Sequence, residues 1–272
     1  MSKSKAYNLV AENPQSTVVA EYTPAYRTAK SYQSEAELER AFIEQLQSQA
    51  YEYLPITAEA DLVLNLRQQL EKLNDFTFSE DEWERFFTSE IANPNQSIAE
   101  KTATIQEDYI KNLKRDDGTV KNIYLLRKDK IHENNLQVIN QYSIEEGQRA
   151  NRYDVTVLVN GVNQINRYQR ESFWAGSGLF EYVQIFVISN GTHTKYYSNT
   201  TRSEHIKESS EGAVKKGKRS SNSFEFTSWW ADAANRPIAD LMDFSKTFFA
   251  KHALLNILTR YCVFTTDKQL LA

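Results

Sequence analysis

Asn151 to Tyr168 reads NRYDVTVLVNGVNQINRY, and the fold turns on it. After Arg152, Tyr153 and Asp154 the residues alternate, with Val155, Val157 and Val159 set against Thr156, Leu158 and Asn160. That period of two predicts a buried strand over 154–159 with a carboxylate at its mouth. Asn160-Gly161 comes next, the strongest short hairpin signal, because both residues tolerate positive φ. Such a turn calls for a return strand directly after it. Val162 instead leads into the polar run Asn163 to Glu171, whose pattern is assigned to a helix. In that helix Gln164 and Tyr168, four apart, would share a face. A hairpin turn without its return strand is a local contradiction.

Upstream of this stretch the signals are helical. Ser34 and Glu37 form a capping box, and Leu38, Phe42 and Leu46 recur on one face, predicting a helix over Glu35 to Ala50. Glu35 and Glu39 lie one turn apart on it. A second helix is predicted from Ala58 to Leu73. A third opens at a Ser79/Glu82 capping box, runs through Ile91 and ends before Pro94. Residues 98–113 are assigned to a further helix, and residues 1–30 to an extended arm.

Downstream the pattern changes to strands. Asp116-Asp117-Gly118 marks a turn, and strands are predicted over Asn122 to Leu126 and Leu136 to Tyr142. Tyr182 to Ser189 is almost wholly apolar, as a strand buried on both faces would be. A shorter strand is predicted over Lys195 to Ser198, then a polar loop over 201–223 and an alternating segment from Phe224 to Thr227. Ile238 to Arg260 reads as one long amphipathic helix, and residues 263–272 as an exit segment. Helices leading into a mixed sheet flanked by helices give an α/β or α+β class.

Composition bounds the function. Of 272 residues, 40% are hydrophobic and 25% charged, ordinary for a soluble globular protein. A net charge of −4 gives no global basic signature, so any DNA contact must be local. Cys262 is the single cysteine, which excludes an internal disulfide and a cysteine-based zinc site and suits a reducing cytoplasm. No apolar run reaches the ~18 residues that a membrane span needs. The N-terminus has no apolar stretch of the secretory kind. There is no Gly-x4-Gly-Lys-Ser/Thr loop, so this chain alone is not expected to hydrolyse ATP. His132, His193, His205 and His252 show no paired spacing that would mark a zinc site.

Taken singly, the polar candidates are modest. Asp154 alone is more simply a strand-capping surface acid; its functional reading is a metal-binding carboxylate on a rigid strand, since hard divalent ions take oxygen ligands. Glu35 and Glu39 are more often solvated than catalytic. The basic run Lys215-Lys216-Gly217-Lys218-Arg219 is more often a solvated loop, but it could touch phosphates without reading sequence.

Together the pieces resemble the N-terminal nuclease region of the restriction (R, or motor) subunit of type I restriction-modification enzymes. The matching residues are Ser31 to Glu35 with Leu38-Glu39, Asn151 to Thr156, Gln164 to Tyr168, and Phe186 to Thr192. The resemblance implies a PD-(D/E)xK nuclease-like mixed central sheet flanked by helices, with an added N-terminal helical part, over residues 31–262. It implies Mg²⁺-dependent cleavage of double-stranded DNA, driven by ATP through a motor region absent from this chain. It also implies methyltransferase and specificity subunits as partners. Asp154 becomes the metal carboxylate, Gln164 and Tyr168 the family's Gln-x-x-x-Tyr motif, and Glu39 a candidate acid on the first helix. Arg152, Lys215, Lys216, Lys218 and Arg219 become the expected DNA contacts.

One departure from the family pattern falls on the contradiction at Gly161. The family carries a strand with Glu-x-Lys after Asn-Gly, and then the start of the helix bearing Gln-x-x-x-Tyr. Here Val162 adjoins Asn163. The join predicts either residues omitted between them, the favoured explanation, or a true deletion. A true deletion would leave a non-catalytic DNA-binding or docking module of the same fold.

Overall fold

A computed structural model of the chain describes residues 7–13, 16–22, 34–146, 149–166, 178–201, 226–264 and 270–271. The predicted N-terminal arm contains two strands, β1 (Tyr7–Asn13) and β2 (Ser16–Tyr22), paired antiparallel. Then α1 (Glu35–Ser48) starts at Ser34, whose hydroxyl accepts from the Glu37 amide while the Glu37 carboxylate accepts from the Ser34 amide. It buries Phe42, Ile43 and Leu46. A short strand missed in the sequence, β3 (Glu52–Tyr53), precedes α2 (Glu59–Asn74), which buries Leu62, Leu66 and Leu70. The Ser79/Glu82 box opens α3 (Glu80–Phe86), which relaxes into a π-helical turn over Phe87–Ile91.

The helix assigned to 98–113 is shorter than its pattern. A third capping box, Ser97 with Glu100, starts α4 (Ile98–Gln106), and the chain then turns into β4 (Ile110–Lys114), paired with β5 (Val120–Tyr124). Gly118 makes that turn at φ +83°.

Next come β6 (Leu136–Glu146), β7 (Arg149–Val159), β8 (Val162–Asn166), β9 (Ile185–Ser189) and β10 (Thr194–Ser198). The main sheet has six strands in the order β10-β9-β8-β7-β6-β3. β6, β7 and β8 form an antiparallel meander, and β9 returns parallel to β8. β9 is an interior strand and buries Ile185, Phe186 and Val187. The arrangement is a mixed α/β architecture with helices packed on a central sheet.

Two sequence expectations are corrected here. The return strand is present: Val162–Asn166 is β8, so the helix assigned to Asn163–Glu171 is wrong for residues 163–166. Val162 and Asn163 are consecutive residues within that strand. A five-residue polar strand has little pattern of its own, and pairing with β7 on one side and β9 on the other imposes its conformation.

The predicted helix over Ile238 to Arg260 is broken into α5 (Leu241–Phe248), α6 (Lys251–Asn256) and a π-helical turn over Ile257–Tyr261. The break is held from the end of α1: the Tyr51 hydroxyl donates to the Phe249 carbonyl (2.7 Å) and the Gln49 amide donates to the Ser245 carbonyl (3.1 Å). Carbonyls that the helix leaves without partners are thereby satisfied. The expected exit segment folds back as β11 (Val263–Phe264) and β12 (Leu270–Leu271), with Leu270 buried in the core. The loop assigned to 201–223 lies outside the described residues, apart from Thr201.

Candidate functional site

The site is organised by the β7–β8 hairpin. Asn160 (φ 52°) and Gly161 (φ 78°) form its turn, both in the left-handed region that the primed hairpin turns require. Asn160 is buried and anchors the turn. Its side-chain amide donates to the Leu125 carbonyl (3.1 Å) and to Asn134 Oδ1 (2.7 Å), while its Oδ1 accepts from the Asn135 amide (2.8 Å). A Cβ on Gly161 would lie 2.7 Å from the Leu66 Cα, so glycine lets the turn seat against the α2 backbone. From there the Asn135 side chain donates to Gln69 of α2 and to the Glu52 carboxylate, to which Gln137 of β6 also donates, and Asn65 of α2 donates to Gln137. Buried amides of this kind hold a register because each unmade bond would cost ~1–3 kcal/mol.

Asp154 lies mid-way along β7, between the cross-strand pairs Asn140–Val155 and Tyr142–Tyr153. The predicted strand is longer than its apolar core, so Asp154 sits inside β7 rather than at its mouth. β8 runs beside it with a bulge: Thr156 pairs with Asn166 and Val157 with Ile165, but Leu158 pairs with Asn163, leaving Gln164 as the extra residue. Bulges bend and re-aim a strand and recur beside active sites. Gln164 is thus on a strand next to β7 and not on a helix, and Tyr168 lies outside the described residues.

Glu39 lies on α1, which packs on the main sheet. It is buried, and its Oε1 accepts from the Asn140 side-chain amide at 2.7 Å. Asn140 Oδ1 in turn accepts from the Tyr53 hydroxyl (2.8 Å). Asn140 is opposite Val155, so the chain Tyr53–Asn140–Glu39 is built at the row of Val155, and strand alternation sets that row on the other face from the row of Asp154. Sequence reasoning found Glu39 but not Asn140 or Tyr53, because nothing local marks a partner 101 residues away. Arg152 lies in β7 opposite Ser143. Lys215, Lys216, Lys218 and Arg219 lie outside the described residues.

A hard divalent ion asks for several oxygen ligands, usually with more than one carboxylate. β8, which pairs with Thr156 to Val159, contains Asn163, Gln164 and Asn166 and no carboxylate or lysine. No group of three or more His, Cys, Asp and Glu suited to a metal occurs among the described residues. Within the described strands β7 and β8, Asp154 is the one carboxylate and there is no lysine, where a two-carboxylate-plus-lysine centre needs a second acid and a lysine. Thr156, buried in β7, has a hydroxyl with no hydrogen-bond partner among the described residues.

A family profile described as type I restriction enzyme R protein N terminus matches residues 32–205. The chain belongs to this family. The EcoprrI endonuclease subunit of a type I restriction enzyme from Escherichia coli is 42% identical over 96% of this chain and 84% of that relative. The SsaAORF53P endonuclease subunit from Staphylococcus saprophyticus is 33% identical over 89% of this chain, and the SauMSSORF170P endonuclease subunit from Staphylococcus aureus 32% over 89%. This R-protein region spans about a quarter of the two staphylococcal subunits, 26% in each case. The alignment with the EcoprrI subunit covers 281 positions although this chain has 272 residues, so the relative carries residues with no counterpart here. Among the described residues of this R-protein region no helix is long and apolar enough to cross a membrane.

Proposed function

We propose that this chain is the nuclease region of a type I restriction endonuclease subunit, built on a PD-(D/E)xK-type sheet, whose catalytic centre is reduced to part of its donor set. The carrying observation is the β6-β7-β8 meander with β9 parallel beside it, and Asp154 inside the middle strand of the meander. The names of the relatives and the family match over 32–205 support the restriction role. In the proposed reading the working enzyme acts in the cytoplasm on double-stranded DNA. There it joins an ATP-driven motor region and methyltransferase and specificity subunits, and it uses Mg²⁺ at a centre that includes Asp154. Gln164, Tyr168 and Glu39 would support that centre, and Arg152 with the basic run around Lys215, Lys216, Lys218 and Arg219 would meet the DNA backbone.

The composition of β8 favours a second reading for the chain in isolation: a DNA-binding or docking module that does not cut. A nuclease of this kind needs a second carboxylate and a lysine near the first acid. The described β8 has amides and no acid or lysine, and the longer alignment with the EcoprrI subunit is in keeping with a lost segment.

The test compares three proteins on supercoiled plasmid with Mg²⁺: the 272-residue chain, a variant with a Glu-x-Lys strand inserted after Gly161, and that variant carrying Asp154→Ala. Cleavage is expected only from the second. Mg²⁺-dependent cleavage by the chain itself, abolished by Asp154→Ala, would show the centre to be complete and overturn the reduced-site reading. Cleavage by none would count against Asp154 as the metal carboxylate.

A further inference from the structure

Two adjacent tryptophans beside the sheet edge have opposite fates. Ser228 bridges to Tyr196 of the edge strand β10, exchanging both backbone hydrogen bonds (3.0 and 2.8 Å). This fixes the start of the tryptophan pair. Trp230 turns inward: its indole nitrogen donates to Thr247 Oγ1 (3.1 Å) and its ring packs edge-on against Phe248. Trp229 turns outward and is 37% exposed. A tryptophan is costly to leave in water, and here the backbone on both sides is held while the ring is presented.

Trp229 carries a cation. Lys195 of β10 places its ammonium 5.0 Å from the ring centroid, and the exposed imidazole of His193 meets the ring edge-on at 6.2 Å. Lys195 makes no ion pair among the described residues. An ammonium oriented by a π face, not by a carboxylate, keeps its charge for an outside anion. Asp232, the near carboxylate in sequence, is already bound by Arg236 (2.7 Å).

Sheet register relates this cluster to Asp154. Thr156, Asn166, Phe186 and Tyr197 form one row across β7, β8, β9 and β10. Asp154 lies two residues before Thr156 on β7, and Lys195, paired with Ile188, two residues before Tyr197 on β10, which runs in the same direction as β7. Three strand spacings separate the backbones of Asp154 and Lys195, or about 14 Å. That is about four phosphate steps along one DNA strand.

We propose that Lys195, held by Trp229 and flanked by His193, is a contact for the backbone phosphates of duplex DNA passing over Asp154. This rests on the DNA-acting reading proposed for the chain and adds a binding surface that neither the basic run at 215–219 nor Arg152 includes. The contact would position the duplex without reading its sequence, since ammonium–phosphate pairs carry no base information.

The test uses the 272-residue chain and a fluorescein-labelled 30-base-pair duplex without Mg²⁺, monitored by anisotropy at several salt concentrations, with the single strand as a second probe. Lys195→Ala is expected to reduce the slope of log K against log salt by about 0.9, the value for one phosphate contact. Lys195→Arg should retain most of the binding. Trp229→Ala should weaken binding about two- to fivefold, the range of a surface cation–π contact, and Trp229→Phe by less. Far-ultraviolet circular dichroism confirms that each variant is folded. If the chain binds duplex and both alanine variants bind with unchanged affinity and slope, this surface is wrong while the DNA-acting reading stands. If Lys195→Ala alters binding of the single strand but not of the duplex, the proposed duplex contact is also overturned. If the unaltered chain fails to bind duplex even at low salt, both proposals fall.

Discussion

Gly161→Ala tests the hairpin on which the site is built. At φ +78° an alanine is strained by about 1–3 kcal/mol. Its Cβ would also stand 2.7 Å from the Leu66 Cα and 3.2 Å from the Leu66 nitrogen, contacts with the backbone of α2 that no rotamer change relieves. Overpacking of that kind costs a further ~1–3 kcal/mol. Gly118→Ala is the matched control, because Gly118 has φ +83° but a Cβ there would meet nothing within 4 Å. It carries the strain alone, partly offset by ~0.4–1 kcal/mol of reduced freedom in the unfolded chain. Urea unfolding monitored by circular dichroism should therefore find Gly161→Ala less stable than Gly118→Ala by about 1–3 kcal/mol. Hydrogen exchange should find the amides of Val162 to Asn166 deprotected in Gly161→Ala only. Equal stabilities within ~0.5 kcal/mol would mean that the turn does not seat on α2, and β8 would then lose its anchor.

Buried groups supply three further tests. Lys101 is 1% exposed, paired with Glu181 and lying 5.5 Å from the Tyr182 ring centroid. Lys101→Met should destabilise by about 3–5 kcal/mol by stranding the Glu181 carboxylate, and Lys101→Met with Glu181→Leu should recover much of that loss in the same unfolding assay. Burial holds the Cys262 thiol up to about 12, so Ellman's reagent should leave it unmodified in the native chain at pH 8 and modify it on unfolding. His252 lies against His132, with Nδ1 3.3 Å from the His132 Nε2 and its own Nε2 buried without a partner among the described residues. Burial first, then His132 and Arg260, hold its imidazole below the ordinary 6.5. The unfolded chain therefore takes up this proton first as pH falls, so the stability from neutral His252 is complete above pH ~6.5 and is lost below it, by at most about 1.4 kcal/mol per pH unit. His252→Leu should flatten that part of a stability–pH curve; an unchanged slope would rule out this group as its source.

Much of the frame can be read locally. Ser34 with Glu37 and Ser79 with Glu82 mark two helix starts, because a capping box is satisfied within four residues and needs nothing from elsewhere in the chain. The Val155–Val159 alternation and the Asn160-Gly161 turn are likewise properties of their own residues. The motifs around Asp154 and Gln164 were enough to suggest the family to which the chain belongs.

The conformation of the chain after Gly161 was decided at a distance. Val162–Asn166 is polar and five residues long, too short for its period to be told, and it becomes a strand because β7 and β9 both bond to it. The apolar period of Ile238 to Arg260 favours one helix, yet Tyr51 and Gln49, nearly 200 residues earlier, satisfy the carbonyls at its break. Glu39 of α1 finds Asn140 of β6, and Lys195 of β10 finds Trp229 of the loop beside it, only once the chain has packed around the sheet. A cap or a turn is a bond between neighbours in sequence and is written there. A strand's partners and a side chain's electrostatic surroundings are bonds between remote residues, and only the packed chain supplies them.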